Sequence, residues 1–338
     1  MSNFKVNHIT NKSGKNGPTL AGITTVSSSG SMRFPSGPTE HRGGRGRGVI
    51  GGGSQIPSGT VVNTLNLITI ATTGNATDFG DLTYGKAYRG GIASSTRGIF
   101  ANGQGDMTYD YVTISSQGGA SDFGEALTAH QGGATFNNSV RGFNGGGSDP
   151  SQTSNIRGMV IASTGSFYDA GDLTQVGIYM SGASSSTRGI SFGGALGGAT
   201  SKNIDVFTMA SGGNAIKFGE LITARKYADT AGNSVRALAA GGEGPSSNLD
   251  SIEFVTIATD GNGTDFNTLH SSTSVGKSGS VSSATRGIFA GFYPVSGGDR
   301  RMDFVSITSA GSAQDFGDLT TAAYYTGGCS DSNGGLGE

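Results

Sequence analysis

Apolar positions along this chain come in two kinds of short run, and the two kinds take turns. One kind alternates strictly. It is NLITIATTG at Asn66–Gly74, DYVTISSQG at Asp110–Gly118, RGMVIASTG at Arg157–Gly165, DVFTMASGG at Asp205–Gly213, EFVTIATDG at Glu253–Gly261 and DFVSITSAG at Asp303–Gly311. Alternation lays one set of side chains on a buried face and Thr or Ser on the other, so each run is predicted to be a strand. The other kind places a β-branched or aromatic residue ahead of small residues and glycine. STRGIFANG at Ser95–Gly103 recurs as RGRGVIGGG at Arg45–Gly53, SVRGFNGGG at Ser139–Gly147, STRGISFGG at Ser186–Gly194, SVRALAAGG at Ser234–Gly242 and ATRGIFAGF at Ala284–Phe292.

The arginines that lead this second run stand at 47, 97, 141, 188, 236 and 286, at intervals of 50, 44, 47, 48 and 50 residues. A period in this range predicts propeller blades or a solenoid. Two further parts complete each unit. A corner follows the alternating strand: TDFGDLT at Thr77–Thr83, SDFGEALT at Ser121–Thr128, YDAGDLT at Tyr168–Thr174, IKFGELIT at Ile216–Thr223, TDFNTLH at Thr264–His270 and QDFGDLT at Gln314–Thr320. A loose Gly/Ala/Ser strand comes last, as in GGIASS at Gly90–Ser95 and SGASSS at Ser181–Ser186. Its small side chains suit a crowded innermost strand around an axis.

Four strands in about 50 residues make one blade. The first unit, from Arg47, lacks its Gly/Ala/Ser strand, while YYTGGCSDS at Tyr324–Ser332 is such a strand with no arginine run after it. The two ends are therefore predicted to share a blade, closing a ring and removing exposed sheet edges. The expected fold class is an all-β, six-bladed β-propeller over residues 47–332, closed by strand overlap. An extended N-terminal arm over 1–46 precedes it and a short tail over 333–338 follows.

Composition agrees. With 62 Gly among 338 residues, 34% hydrophobic and 14% charged, the chain is poor in helix formers, and seven prolines without a Gly triplet exclude a collagen pattern. Net charge is −2, yet residues 1–46 hold six of the 22 Lys and Arg (Lys5, Lys12, Lys15, Arg33, Arg42, Arg45) and one of the 24 Asp and Glu, Glu40. A basic arm thus precedes an acidic body, as expected of a segment that docks on an acidic partner or on a neighbouring copy. Cys329 is the single cysteine, so no intrachain disulfide is expected. No apolar run is long enough to span a bilayer, and none follows Lys5 and His8 as a signal peptide requires.

The order of small-residue strand, hydrophobic strand ending in Gly-Gly, alternating strand and aromatic corner resembles the kelch class of propeller, without that class's Trp. More narrowly, KVNHITNKSGKNGPTLAGITTVSS at Lys5–Ser28, followed by RGGRGRG and units of the form TRGIFAGG and DYVTIAT ahead of GNATDFGDLT, resembles virion structural proteins of marine cyanophages, of the tail-fibre or tail-spike kind. That resemblance implies a particle-bound protein. Residues 1–46 would contact other virion proteins, the chain would form a homo-oligomer, and the propeller body would meet a host-surface glycan or protein.

Chemistry-bearing residues are few. Arg47, Arg97, Arg141, Arg188, Arg236 and Arg286, with Asp78, Asp122, Asp169, Asp265 and Asp315, recur once per unit and are expected to be scaffold, the arginines meeting these aspartates or the corner carbonyls on one rim. The four His are scattered, so no metal, cofactor or catalytic centre is expected, and no basic aromatic face for nucleic acid is present. Segments that differ between units gather on the opposite rim, where Tyr84, Tyr88, Tyr179, Tyr227, Phe292 and Tyr293 are candidate aromatic platforms. The expectation is a non-enzymatic virion component for host recognition. The alternatives are a purely structural fibre or decoration subunit and, third, a polysaccharide hydrolase.

Overall fold

A computed structural model describes residues 46–55, 58–101, 103–148, 150–270, 279–292 and 300–332. The arm at 1–45, Tyr293 and the tail at 333–338 lie outside the described residues. Every regular element among the described residues is a strand. The strands form six antiparallel sheets, and the molecule is a six-bladed β-propeller.

Each blade runs from an inner strand outwards. Inner strands are Gly327–Ser330, Gly90–Ala93, Ala134–Asn137, Ser181–Ser184, Asp229–Gly232 and Gly279–Ser282 for blades 1 to 6, and neighbours in this series touch all the way round. Second strands are the arginine runs, from Arg47–Gly51 to Arg286–Ala290. Third strands are the alternating runs, and outer strands carry the Asp-Phe-Gly corner. Blade 1 takes its inner strand from the far end of the sequence: Val49 stands opposite Cys329 and Gly51 opposite Gly327. The predicted overlap is therefore the closure, and Arg47 N and Asp331 N fasten it by donating to Asp331 Oδ1 at 2.9 Å and Arg47 O at 3.1 Å.

The core is divided among the blade interfaces. Six apolar clusters each join two adjacent blades, such as Ile190, Phe192 and Phe218 of blade 4 with Val255 and Ile257 of blade 5. Near the axis the blades approach most closely. A Cβ on Gly98 would stand 2.3 Å from Cys329 Sγ and one on Gly189 would stand 2.2 Å from the Phe136 ring, so the glycine after each arginine receives the third inner-strand residue of the preceding blade. In blade 5 the equivalent residue is Ala237, which shares a cluster with Ala183 of the preceding blade.

The corner is a bulged strand rather than a turn. Register shifts between Leu65 and Asn66, Tyr109 and Asp110, Ile156 and Arg157, Ile204 and Asp205, Ile252 and Glu253, and Met302 and Asp303 mark a bulge at the same place in every blade, and blades 3 and 4 carry a second shift, between Thr153 and Asn155 and between Ser201 and Asn203. A bulge re-aims the residue beside it. Here that residue reaches the end of the preceding blade's outer strand: Asn66 Oδ1 accepts from Thr320 N at 2.9 Å, Asp205 Oδ2 from Thr174 N at 2.9 Å, Glu253 Oε2 from Ile222 N at 2.7 Å and Asp303 Oδ2 from His270 N at 3.0 Å. Asp110 accepts from the Thr83 hydroxyl. Arg157 reverses the sense, donating through Nε and Nη2 to Thr128 Oγ1 at 3.0 and 2.8 Å. Outer-strand carbonyls are capped by the next blade as well, with Gly118 N on Phe79 O at 2.8 Å and Gly74 N on Phe316 O at 2.7 Å, which blunts the sheet edges.

Candidate functional site

The two ends of the ring are built differently. At one end stand the six repeat arginines, each donating Nη1 to a carbonyl in the turn after the next blade's third strand: Arg47 to Ser115 at 2.8 Å, Arg97 to Ile161 at 2.9 Å, Arg141 to Ala210 at 3.2 Å, Arg188 to Ile257 at 3.0 Å, Arg236 to Ile307 at 3.0 Å and Arg286 to Ala71 at 2.8 Å. Arg97, Arg236 and Arg286 also lie over Tyr111, Phe254 and Phe304. Of the two expected partners, corner aspartates or corner carbonyls, the arginines take carbonyls, though of a different turn, and among the described residues none pairs with a corner aspartate. Asp78, Asp122, Asp169 and Asp315 instead accept from the amide two residues on, closing small turns over Gly80, Gly124, Gly171 and Gly317. Asp265 holds the same place ahead of Asn267, which adopts the positive φ of 144° that glycine takes elsewhere. Among the described residues, Arg188 alone of the six meets an acid, and that acid is Asp260.

At the other end the candidate tyrosines come together. Tyr88, Tyr179 and Tyr227 each stand two residues before an inner strand, and Tyr325 occupies the same place in blade 1. All four have positive φ, of 62°, 61°, 59° and 57°. That conformation is costly for a side chain bearing a Cβ, and residues held in it cluster at functional sites. In blade 3 the place belongs to Gly132 at φ 69°.

Their rings meet over the axis as two close pairs. Tyr88 and Tyr325 stack with centroids 4.0 Å apart, and Tyr179 and Tyr227 lie 4.1 Å apart. The pairs are joined by Tyr88–Tyr179 at 5.6 Å and Tyr227–Tyr325 at 5.5 Å. Backbone bonds lock the pairs, Tyr88 N donating to Tyr325 O at 3.0 Å and Tyr227 N to Tyr179 O at 3.1 Å. All four side chains are half-buried. Burial, with the hydrogen bond to Tyr179 and the other phenols nearby, pushes the Tyr227 pKa up, so this phenol stays protonated.

Below the rings an axial cavity of about 100 Å³ begins at the residues that follow them, Arg89, Met180 and Ala228, and continues between the inner strands. Drug-sized ligands occupy cavities of roughly 300–1,000 Å³. Around the mouth stand Val61, Tyr84, Met107, Leu127, Val176, Leu196 and Ile222, seven of the ten large apolar side chains that are exposed among the described residues; the other three, Val140, Ile216 and Val235, lie at the arginine end.

Four cations near the mouth are paired with acids. Arg89 Nη2 meets Asp110 Oδ2 at 3.0 Å with both side chains fully buried, and Lys226 Nζ meets Glu243 Oε1 at 2.9 Å. Arg225 pairs with Glu253 and Lys86 with Asp106. Acids engaged in this way are poorly placed to act as general acid and base. Cys329 is buried beside Asp331, and burial raises its thiol pKa, which keeps it from serving as a nucleophile. Among the described residues no three His, Cys, Asp or Glu converge to hold a metal.

Of the sequence-level candidates, Tyr88, Tyr179 and Tyr227 share the mouth. Tyr84 is 65% exposed, with the Lys86 ammonium 5.8 Å from its ring. Phe292 is not a platform: it is 1% exposed, packed into the interface between blades 5 and 6 under the Arg301 guanidinium. Tyr325 was not among the candidates. Its signal lay in the repeat, since Tyr-Thr-Gly-Gly at 325–328 matches Tyr-Arg-Gly-Gly at 88–91 and Tyr-Met-Ser-Gly at 179–182. Comparison with protein-family models gives no match to this chain, and neither does comparison with curated proteins.

Proposed function

We propose that the chain is a non-catalytic component of a phage particle, of the tail-fibre or tail-spike kind its sequence resembles, held through residues 1–46 and presenting the tyrosine end of its propeller to a host surface. The observation that carries this reading is the convergence of four tyrosines, each in a strained backbone conformation, on the axis at one end. Polarity supports it. The described chain enters the ring at Gly46 and leaves it at Ser332, both at the arginine end and so opposite the tyrosine mouth.

The test is adsorption of the full chain to cyanobacterial cells. A Tyr88→Gly/Tyr227→Gly double variant keeps a residue suited to positive φ, as Gly132 already is. Adsorption is expected to drop about tenfold or more, about 1.4 kcal/mol of binding, while the variant keeps the parent's circular dichroism and cooperative unfolding. Unchanged adsorption would exclude the mouth as the recognition surface. A second reading, a structural subunit whose tyrosine end packs on a neighbour, is favoured by the seven exposed apolar side chains. It predicts that the same variant changes the assembly state and leaves adsorption alone.

A further inference from the structure

Resting on the recognition reading above, we infer that the mouth takes an uncharged saccharide, seated with a sugar ring over the axis. Three features of the molecule point to that class. Among the described residues, Lys86, Arg89, Arg225 and Lys226 at the mouth are each paired with a carboxylate, so none of these four cations is left to bind an anion. Extended peptides that add to a sheet need a free strand edge, and here the outer-strand carbonyls are capped by the next blade, as Phe79 O, Phe123 O and Ala170 O are by Gly118 N, Gly165 N and Gly213 N. A drug-sized apolar ligand needs depth, and the space beneath the rings is only about 100 Å³.

What the mouth does offer is matched to a pyranose. The Tyr88 and Tyr227 centroids lie 6.4 Å apart across the group, a footprint for one sugar ring. Aromatic carbon there meets the C–H face of a sugar, and half-burial on positive-φ backbone holds the rings in place before the ligand arrives, so little ordering is needed on binding. Uncharged residues whose side chains can hydrogen-bond to sugar hydroxyls stand in loops of the same end. Gln104 is tied through its amide to Ala87 beside Tyr88, Gln131 precedes Gly132, and Asn248 bridges to Glu243 next to Lys226. Tyr with Asn, Ser and Gly is the composition of adaptable polar recognition surfaces.

The experiment presents the full chain with neutral hexose oligosaccharides and with their sialylated, sulfated and phosphorylated counterparts, in low and high salt, alongside adsorption to cells. Expected are binding to neutral oligosaccharides that salt leaves unchanged, competition of cell adsorption by the same free sugars, and a fall of about tenfold in both for Tyr88→Gly/Tyr227→Gly. Val140→Ser, at the arginine end, is expected to bind as the parent does. Binding confined to charged glycans and lost in salt would overturn the inference, as would adsorption that depends on the tyrosines but is abolished by protease treatment of the cells. Both outcomes would leave the recognition reading standing. Adsorption and sugar binding that are indifferent to the tyrosines would overturn the two together.

Discussion

Gly91 sits so close to blade 1 that a Cβ on it would stand 1.6 Å from the carbonyl oxygen of Gly328, and a Cβ on Gly328 would in turn stand 2.4 Å from Ser280 O. Where the inner strand carries a hydroxyl instead, the hydroxyl turns the same contact into a bond: Thr230 Oγ1 donates to Gly182 O at 2.6 Å and Ser280 Oγ to Thr230 O at 2.5 Å. The second inner-strand position is thus closed to anything but glycine or a small hydroxyl residue. Gly91→Ala is expected to destabilise the protein by about 3 kcal/mol, since backbone cannot yield as a flexible side chain can; urea unfolding measures it. Asp106 gives a pH prediction. Burial alone would raise its pKa, but hydrogen bonds from Lys86 and Thr108 outweigh that and bring it from 3.8 to about 2. A depressed carboxylate contributes stability that is present above about pH 4 and is lost as the pH falls through 2. The side chain is 34% exposed, so the contribution is under about 1 kcal/mol. Asp106→Asn is expected to be less stable than the parent at pH 6 and equal to it near pH 2, by unfolding at the two pH values.

A strand in this ring is held by its own sheet and by the residue that the bulge aims at the blade before. Asp205 takes the Thr174 amide at 2.9 Å, the Thr174 hydroxyl at 2.6 Å and Asn203 Nδ2 at 2.7 Å while 3% exposed. Asp205→Ala removes the acceptor shared by the Thr174 amide and hydroxyl, and bonds to a charged acceptor are worth about 1.5–3 kcal/mol each. A loss of about 3 kcal/mol or more is expected in urea unfolding; a loss below about 1 kcal/mol would show that the joint contributes little. The strands themselves were legible, because alternation such as Asp110–Gly118 has one structural meaning. The joints were not. Arg97 and Ile161 are 64 residues apart, as Thr174 and Asp205 are 31 apart, and a period shows that residues recur without showing which copy faces which. The repeat arginines were readable as holders of turns, yet their acceptors belong to a different turn of the next blade. Phe292 misled for the opposite reason: an aromatic after a Gly-rich strand end looks like loop until the neighbouring blade is seen to cover it. Three of the four mouth tyrosines were legible as loop aromatics, but their meeting depends on a shared axis that no local pattern encodes.

At the scale of the whole molecule the question is what keeps a ring of six weakly connected sheets from opening. Each interface holds one apolar cluster and one set of joints, so no seam is stronger by composition than the others. The seam where the chain ends differs in one respect. Blade 1 is assembled from Arg47–Gly51 and Gly327–Ser330, so opening the ring there breaks backbone ladder bonds as well as side-chain contacts. Cys329 adds packing, since its side chain fills the space over Gly98 and joins the cluster between blades 1 and 2. A chain that stops at Ala323 loses the ladder, the Cys329 contact, the Asp331 clasp and the Tyr325 ring at once, and it leaves the edge of Arg47–Gly51 open to pairing with other chains. Total stabilities are about 5–15 kcal/mol, so this chain is expected to unfold at much lower urea and to self-associate. Because the missing piece is a single strand with a defined register, a synthetic peptide of residues 324–332 is expected to bind the shortened chain and return its unfolding midpoint towards that of the parent. Equal midpoints for the shortened and full chains would mean that the circle is held by blade packing alone. Rescue by a peptide carrying Gly328→Val would mean that the inner strand does not need the close approach to Ser280 on which the axial packing depends.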